Sequence, residues 1–140
     1  MQRIVAFDVG EKRIGIAVSD ALGWTAQGLE TYVRKNLETD IDYLLAVAAR
    51  YRPCKLLFGI PRNMDGSYGP QAERTRRFAD RLAQKWEGEL TFEDERLTTA
   101  QARNVLIAAD VSRKNRKAVI DKMAASLILQ SYLDRIGKRG

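Results

Sequence analysis

Apolar positions along this chain follow two periods, and the switches between them mark out its elements. Arg3 to Phe7 is a short β-branched apolar run of the kind a buried central strand presents. Gly10-Glu11-Lys12 breaks it, and Arg13-Ile14-Gly15-Ile16-Ala17-Val18-Ser19 reads as a second strand joined to the first by a hairpin. A third strand is predicted around Leu29 to Val33. Asn36 has the chemistry of an N-cap, with Glu38 and Asp40 in the first turn, where carboxylates complement the helix dipole. Ile41, Leu44, Leu45 and Ala48 then recur at helical spacing, predicting an amphipathic helix that reaches Tyr51 and is closed by Pro53.

Lys55 to Ile60 returns to a buried-strand pattern and ends at Pro61. The segment Arg62 to Gly69 reads as a loop, and Pro70 suits the first position of a helix carrying Ala72, Phe78, Ala79, Leu82 and Trp86. Leu90-Thr91-Phe92 is a short strand running into Glu93-Asp94-Glu95-Arg96. Thr98 or Thr99 caps a further predicted helix through Ala109, and a last helix is expected from about Ala118 to Ile136. Three strands that pair antiparallel, followed by strands alternating with helices, imply an α/β fold with a mixed sheet covered by helices. No internal repeat, linker or low-complexity stretch divides residues 1–140, so one domain is expected.

Composition narrows the chemistry mainly through what is missing. A single cysteine, Cys54, excludes an internal disulfide and a cysteine zinc cluster. The absence of histidine excludes a Ser-His-Asp triad, a Cys-His pair and imidazole metal sites. Any enzyme chemistry must therefore run on carboxylates, hydroxyls, Lys, Tyr or a metal held by oxygen, which selects Mg²⁺ or Mn²⁺. A net charge of +6 favours a polyanionic partner, although many basic proteins bind no nucleic acid. No apolar run is long enough to span a bilayer, and Asp8 arrives too early for a signal-peptide core, so a cytoplasmic location without membrane contact is expected.

Three acidic positions stand out. Asp8 closes the first strand ahead of Gly10; it is either a ligand-binding carboxylate at the carboxyl end of a central strand or a turn-capping Asp. Asp94-Glu95-Arg96 ends the last strand, either facing a site or forming a solvated strand end. Asp121 precedes Ala124, Ala125 and Ile128 on the apolar side of its helix, unless it merely pairs with Lys117 or Lys122 on the surface. Together they suit a site in which two divalent ions, roughly 3.5–4 Å apart, activate water and stabilise the leaving oxygen of a phosphodiester. Lys12, Arg13 and the stretch Arg113-Lys114-Asn115-Arg116-Lys117 would hold the nucleic-acid backbone, with Arg96 meeting a phosphate and Asn63 beside them in the loop. The basic stretch is expected to act as a flexible arm ahead of the last helix.

Four segments in order resemble the YqgF/RuvX family: Asp8 to Asp20, Phe58 to Ser67, Asp94 to Thr99, and Ile120 to Ala125. That resemblance implies a ribonuclease H-like fold with sheet order 3-2-1-4-5 and helices on both faces. It implies a cytoplasmic bacterial nuclease that matures the 5′ end of pre-16S ribosomal RNA, or else a Holliday junction resolvase. By similarity Asp8, Glu95 and Asp121 are the catalytic and metal-binding acids, although Asp94 follows Phe92 by two and competes with Glu95. Two ions, Mg²⁺ or Mn²⁺, are expected to bind weakly until the nucleic acid adds phosphate oxygens. A monomer or weak homodimer is expected, a stable dimer being what junction cleavage requires. A binding factor that keeps the fold without catalysis is a third class, and an actin-like ATPase is excluded because 140 residues leave no room for its second domain.

Overall fold

The computed structural model describes residues 2–63, 65–94 and 113–137, with the side chains of 113–122 outside that description. Five strands form one sheet in the order β3-β2-β1-β4-β5. They are β1 (Arg3–Val9), β2 (Arg13–Ser19), β3 (Ala26–Val33), β4 (Cys54–Ile60) and β5 (Leu90–Asp94). The first three pair antiparallel, while β4 runs parallel to β1 and β5 parallel to β4. The described helices are α1 (Leu37–Ala49), α2 (Pro70–Ala83) and α3 (Arg113–Gly137).

Helices cover both faces of the central strand, which is why its apolar run does not alternate. Val5, Phe7 and Val9 face α1 and α2, packing with Ile41, Leu44, Phe78, Ala79 and Leu82. Ile4 and Ala6 point the other way, onto Ala125, Ile128, Leu129, Tyr132 and Leu133 of α3. Small residues meet on that second face (Ala6 and Ala17 from the sheet, Ala125 from the helix), which allows α3 to lie close against the strands.

The expected N-cap is present: the Asn36 side chain accepts from the Thr39 amide at 2.9 Å, and Pro70 opens α2. Several boundaries move, among them the end of α2 at Ala83, which leaves Trp86 outside the helix expected to carry it. Strand β3 starts at Ala26 rather than near Leu29, and α1 stops at Ala49, two residues short of Tyr51. Helix α3 begins at Arg113, so the basic stretch expected to precede it as a flexible arm forms its first turns instead. Lys and Arg are good helix formers, and that local preference holds even where cations oppose the dipole at a helix start. The helix predicted from Thr98 or Thr99 to Ala109 lies outside the described residues.

Candidate functional site at the carboxyl end of the central strands

Strand alternation puts Asp8 on the α3 face of the sheet with Ile4 and Ala6, where it is half-buried. Its partner on β2 is Gly15, and Phe7 pairs with Phe58 on β4, so Gly59 comes next beside Asp8. The strands on either side thus offer no side chain next to this carboxylate. Gly59 in turn pairs with Glu93 on β5. Glu93 reaches α3, accepting from Arg135 at 2.6 Å and from Ser131 at 3.4 Å, and it holds the Arg135 guanidinium above its usual pKa. This carboxylate, which the sequence patterns did not single out, ties β5 to the helix. On α3, Asp121 precedes the buried Ala124 and Ala125 in sequence, and its side chain lies outside the described residues.

The backbone that follows Asp8 is held from the opposite face. Gln71 of α2 donates to the Val9 carbonyl at 3.0 Å, and the Gly10 amide bonds the Arg13 carbonyl at 2.8 Å. A Cβ at Gly10 would lie 2.9 Å from that same carbonyl oxygen, so glycine is required for the approach. Arg34 donates its Nη1 to the Gly10 carbonyl at 2.9 Å and its Nε to Asp40 at 2.9 Å. Asp40 is buried, and also accepts from the Tyr32 hydroxyl and the Lys35 amide, both at 2.9 Å. Burial pushes the Asp40 carboxyl up, yet the Lys35 amide, the Arg34 guanidinium and the Tyr32 hydroxyl outweigh it and leave the carboxyl below its ordinary value. Tyr32 is pushed up to about 12, first by burial and then by its bond to Asp40. Asp40 is therefore more than a first-turn carboxylate: it fixes Arg34, and Arg34 fixes the turn beside Asp8.

Asp94 belongs elsewhere. It follows Phe92 onto the α2 face, where Phe92 packs against Phe58 and lies under the Arg76 guanidinium. There it accepts from Arg62 at 2.8 Å and from the Tyr68 hydroxyl at 3.1 Å. Arg62 also donates to the Gly66 carbonyl at 2.7 Å, so the loop after β4 is clamped to the end of β5. Asn63 is part of the same loop, bonding Ser67 through its amide at 2.8 Å and through Nδ2 at 3.1 Å. Gly66 has φ 90°, a conformation glycine tolerates and side chains disfavour. Asp94 and Asp8 thus lie on opposite faces of the sheet.

Of the other predicted residues, Lys12 is exposed in the turn and Arg13 opens β2 half-buried. Arg113, Lys114, Arg116 and Lys117 have their backbone in α3, while Glu95 and Arg96 lie outside the described residues. Asp8 is the one member of the predicted acidic trio whose side chain is described, and no cluster of three acidic or cysteine ligands occurs among the described residues. Arg34, Asp40, Gln71 and Glu93 had no signal in motif or period that marks them as supports. The pair Gly15 and Gly59 did: each interrupts an otherwise apolar strand run, a sign of something approaching closely.

Comparison with known proteins agrees over nearly the full length. The model of the RuvX family, described as Holliday junction resolvase, matches residues 2–135. A Moorella thermoacetica protein named "Putative pre-16S rRNA nuclease" is 53% identical over 138 residues, covering 99% of this chain and 99% of that one. Among solved structures, RuvC of T. thermophilus in complex with Holliday junction substrate aligns with a TM-score of 0.55 at 16% identity, covering 98% of this chain and 97% of that one. The fowlpox virus resolvase, in complex with Holliday junction DNA, gives 0.58 at 13% identity, covering 96% and 99%. Those identities speak for the fold alone. The mixed sheet with helices on both faces is ribonuclease H-like, as the sequence motifs implied.

Proposed function

Since the chain belongs to the RuvX family of nucleases, we propose that it hydrolyses phosphodiester bonds of pre-16S ribosomal RNA, using divalent metal held by Asp8, Glu95 and Asp121. The observation that carries this reading is the setting of Asp8. A half-buried carboxylate ends the central strand between Gly15 and Gly59, on the face covered by the helix whose sequence includes Asp121. In open α/β sheets, ligands bind outside the carboxyl ends of the strands.

The donor set fits a hard cation: every candidate ligand is a carboxylate, and the chain has no histidine and one buried cysteine, Cys54. When bound, Mg²⁺ or Mn²⁺ would supply Lewis-acid activation of the attacking water and of the scissile phosphate. The chain's own part is to hold Asp8 rigidly. Gln71 and Arg34 fix the turn that follows it, and Gly15 and Gly59 leave space beside it for a phosphate. Lys12, Arg13, Asn63 and Arg96, with the basic first turns of α3, would hold the backbone on either side. The protein would work as one domain in the cytoplasm; no described helix is long and apolar enough to cross a membrane.

The test is direct. Purified protein is incubated with a pre-16S RNA fragment and with a four-way DNA junction, each with Mg²⁺, Mn²⁺ or EDTA. Metal-dependent cleavage of the RNA is expected. Cleavage of the junction alone would transfer the reading to a DNA resolvase, as the family description has it. Cleavage that survives EDTA would remove the acidic site altogether.

A further inference from the structure

Across the sheet from the acids, the hairpin turn, the β3–α1 junction and α2 enclose a groove of about 1030 Å³. Seven of its lining residues are Lys or Arg and three are acidic, an excess of four positive charges in a chain whose whole net charge is +6. The groove is thus one of the chain's strongly basic regions, beside the first turns of α3. Of the three acids, Asp40 is already committed to Arg34 and Tyr32.

The arrangement inside the groove is ordered. Arg74, Arg77 and Arg81 line it from α2, spaced by three and then four residues, so they form one stripe along the helix. At about 1.5 Å per residue the stripe is roughly 10 Å long, enough for two or three phosphates of an extended strand. Their present partners hold them loosely. Arg74 meets Glu11 at 3.4 Å, Arg77 meets Glu73 at 3.6 Å and Arg81 meets Glu38 at 3.0 Å, all between exposed side chains. Such pairs contribute little and give way easily to phosphate. Lys12 and Lys35 stand exposed on the opposite wall, with no ion pair among the described residues. Exposed Val33 and half-buried Leu37 give the groove its open apolar surface, on which a base or ribose can rest, while Val9 and Phe78 are buried beneath it and the Phe78 ring is covered by the Arg34 guanidinium. Val9 is the residue after Asp8, so the groove begins one residue from the proposed metal site and on the other side of the sheet.

We propose that this groove binds a single-stranded RNA segment of the substrate, flanking the bond to be cut and passing round the Gly10–Lys12 turn. The cations take its phosphates, and Val33 and Leu37 meet its sugars and bases. Its volume suits a few nucleotides of single strand, and a duplex is too wide to enter it. This rests on the nuclease reading only for the identity of the strand; binding in the groove is measurable without cleavage.

The experiment compares three proteins: wild type, a groove variant carrying Arg74→Gln, Arg77→Gln and Arg81→Gln, and a control carrying Arg3→Gln, Arg50→Gln and Arg52→Gln. The control loses the same charge at the other end of the sheet, and circular dichroism checks that all three are folded. Binding of a labelled 12-nucleotide oligo(U) is followed by fluorescence anisotropy from low to moderate salt without divalent metal, with oligo(dT) as a second probe. The groove variant should bind oligo(U) at least about tenfold more weakly, with a salt slope shallower by roughly two, since each lost single-strand phosphate contact removes about 0.7. The control should change by less than about threefold. Equal losses in both triple variants would mean that net charge alone binds the strand and would overturn the groove. Preference of the groove for oligo(dT) would overturn its assignment to RNA. If the groove variant loses binding and none of the proteins cleaves RNA, the groove stands and the nuclease reading falls. If cleavage of long RNA is metal-dependent and its KM unchanged in the groove variant, the nuclease reading stands and the groove falls.

Discussion

The two faces of the sheet, compared at the carboxyl end of β1, divide the labour. On the α3 face Asp8 lies between Gly15 and Gly59, and the helix that covers it meets the sheet through small residues such as Ala125. On the α1/α2 face, one residue later, Val9 borders a groove lined by arginines and lysines, with Arg34 locked onto a buried Asp40. A half-buried carboxylate stands on one side and a cluster of cations on the other, separated by the thickness of one strand. If the same residues shared one surface, the arginines would neutralise the carboxylates before a metal could. Strand alternation keeps them apart while the shared turn keeps them rigidly connected.

The largest test of this division is removal of Asp8. Asp8→Asn should lower single-turnover cleavage by more than the roughly 10–100-fold that changes to outer supports of a metal site cost. Glu95→Gln and Asp121→Asn should behave alike, and combining them with Asp8→Asn should add little, because groups acting as a unit are not additive. Binding of uncut RNA should stay within a few-fold, since the groove lies on the other face. An Asp8 variant with full cleavage would end the acidic-site reading, and one that lost binding instead would end the division of faces.

Next in size is the strut between the two faces. Asp40→Asn leaves the Arg34 guanidinium, a quarter exposed, without its charged partner. Breaking a buried pair on one side costs about 3–5 kcal/mol, and the partial exposure of Arg34 puts this case near the low end. Urea denaturation should therefore report a loss of about 3 kcal/mol. Cleavage by the folded fraction should also fall, because the turn after Asp8 loses its hold. A loss under about 1 kcal/mol with cleavage intact would make Asp40 an ordinary first-turn carboxylate.

That outcome bears on how much was legible in the sequence. The strand order came from the resemblance to the YqgF/RuvX family, whereas the mixed sheet covered by helices followed from period, because burial on two faces writes itself as the continuous run Ile4 to Phe7. Asp8 was legible for the same reason: a carboxylate ending such a run is conspicuous. Asp40 was not, since an acid in the first turn of a helix has a sufficient local explanation, and its contact with Arg34 and Tyr32 depends on how β3 enters α1. The competition between Asp94 and Glu95 also needed three dimensions. Phe92 fixes the parity of β5, and parity sends Asp94 to Arg62 and Tyr68 on the α2 face. The start of α3 was misjudged because a dense run of like charge was weighed above the helix preference of Lys and Arg.

A smaller effect is expected from the first turns of α3. Neutralising Arg113, Lys114, Arg116 and Lys117 should reduce the salt slope of RNA binding by up to roughly three, at about 0.7 per single-strand contact. Turnover at saturating substrate should change far less than in the Asp8 variant. Because this stretch belongs to the helix on the other face from the groove, its loss and that of the groove should add in binding free energy if each face holds its own part of the strand. Affinity and salt slope equal to those of the wild type would show a solvated helix start that touches no nucleic acid.

The smallest effect is confined to alkaline pH and reads the Tyr32–Asp40 bond alone. Tyr32 is raised from about 10 in an unfolded chain to about 12, by burial and then by the carboxylate that accepts its proton. A group whose folded pKa is raised contributes stability that is fully present below the unfolded pKa and is lost as pH climbs through the folded one. The contribution of Tyr32 is therefore complete at pH 9 and declines between about 10 and 12. Tyr32→Phe has no proton to lose and should start about 1 kcal/mol less stable at pH 9, the net worth of such a bond. The gap between the two proteins, measured by urea unfolding at each pH, should then narrow as pH rises. At the acid end the same pair runs in the other direction. Asp40, held below its ordinary value, loses its contribution only as pH falls beneath about 3.9. Near neutrality the strut should thus be fully formed, and cleavage should show no pH dependence attributable to it between about 5 and 9. A gap that stays constant from pH 9 to 12 would mean that Tyr32 ionises as freely in the folded protein as in the unfolded chain, and that Asp40 is held by Arg34 and the Lys35 amide alone.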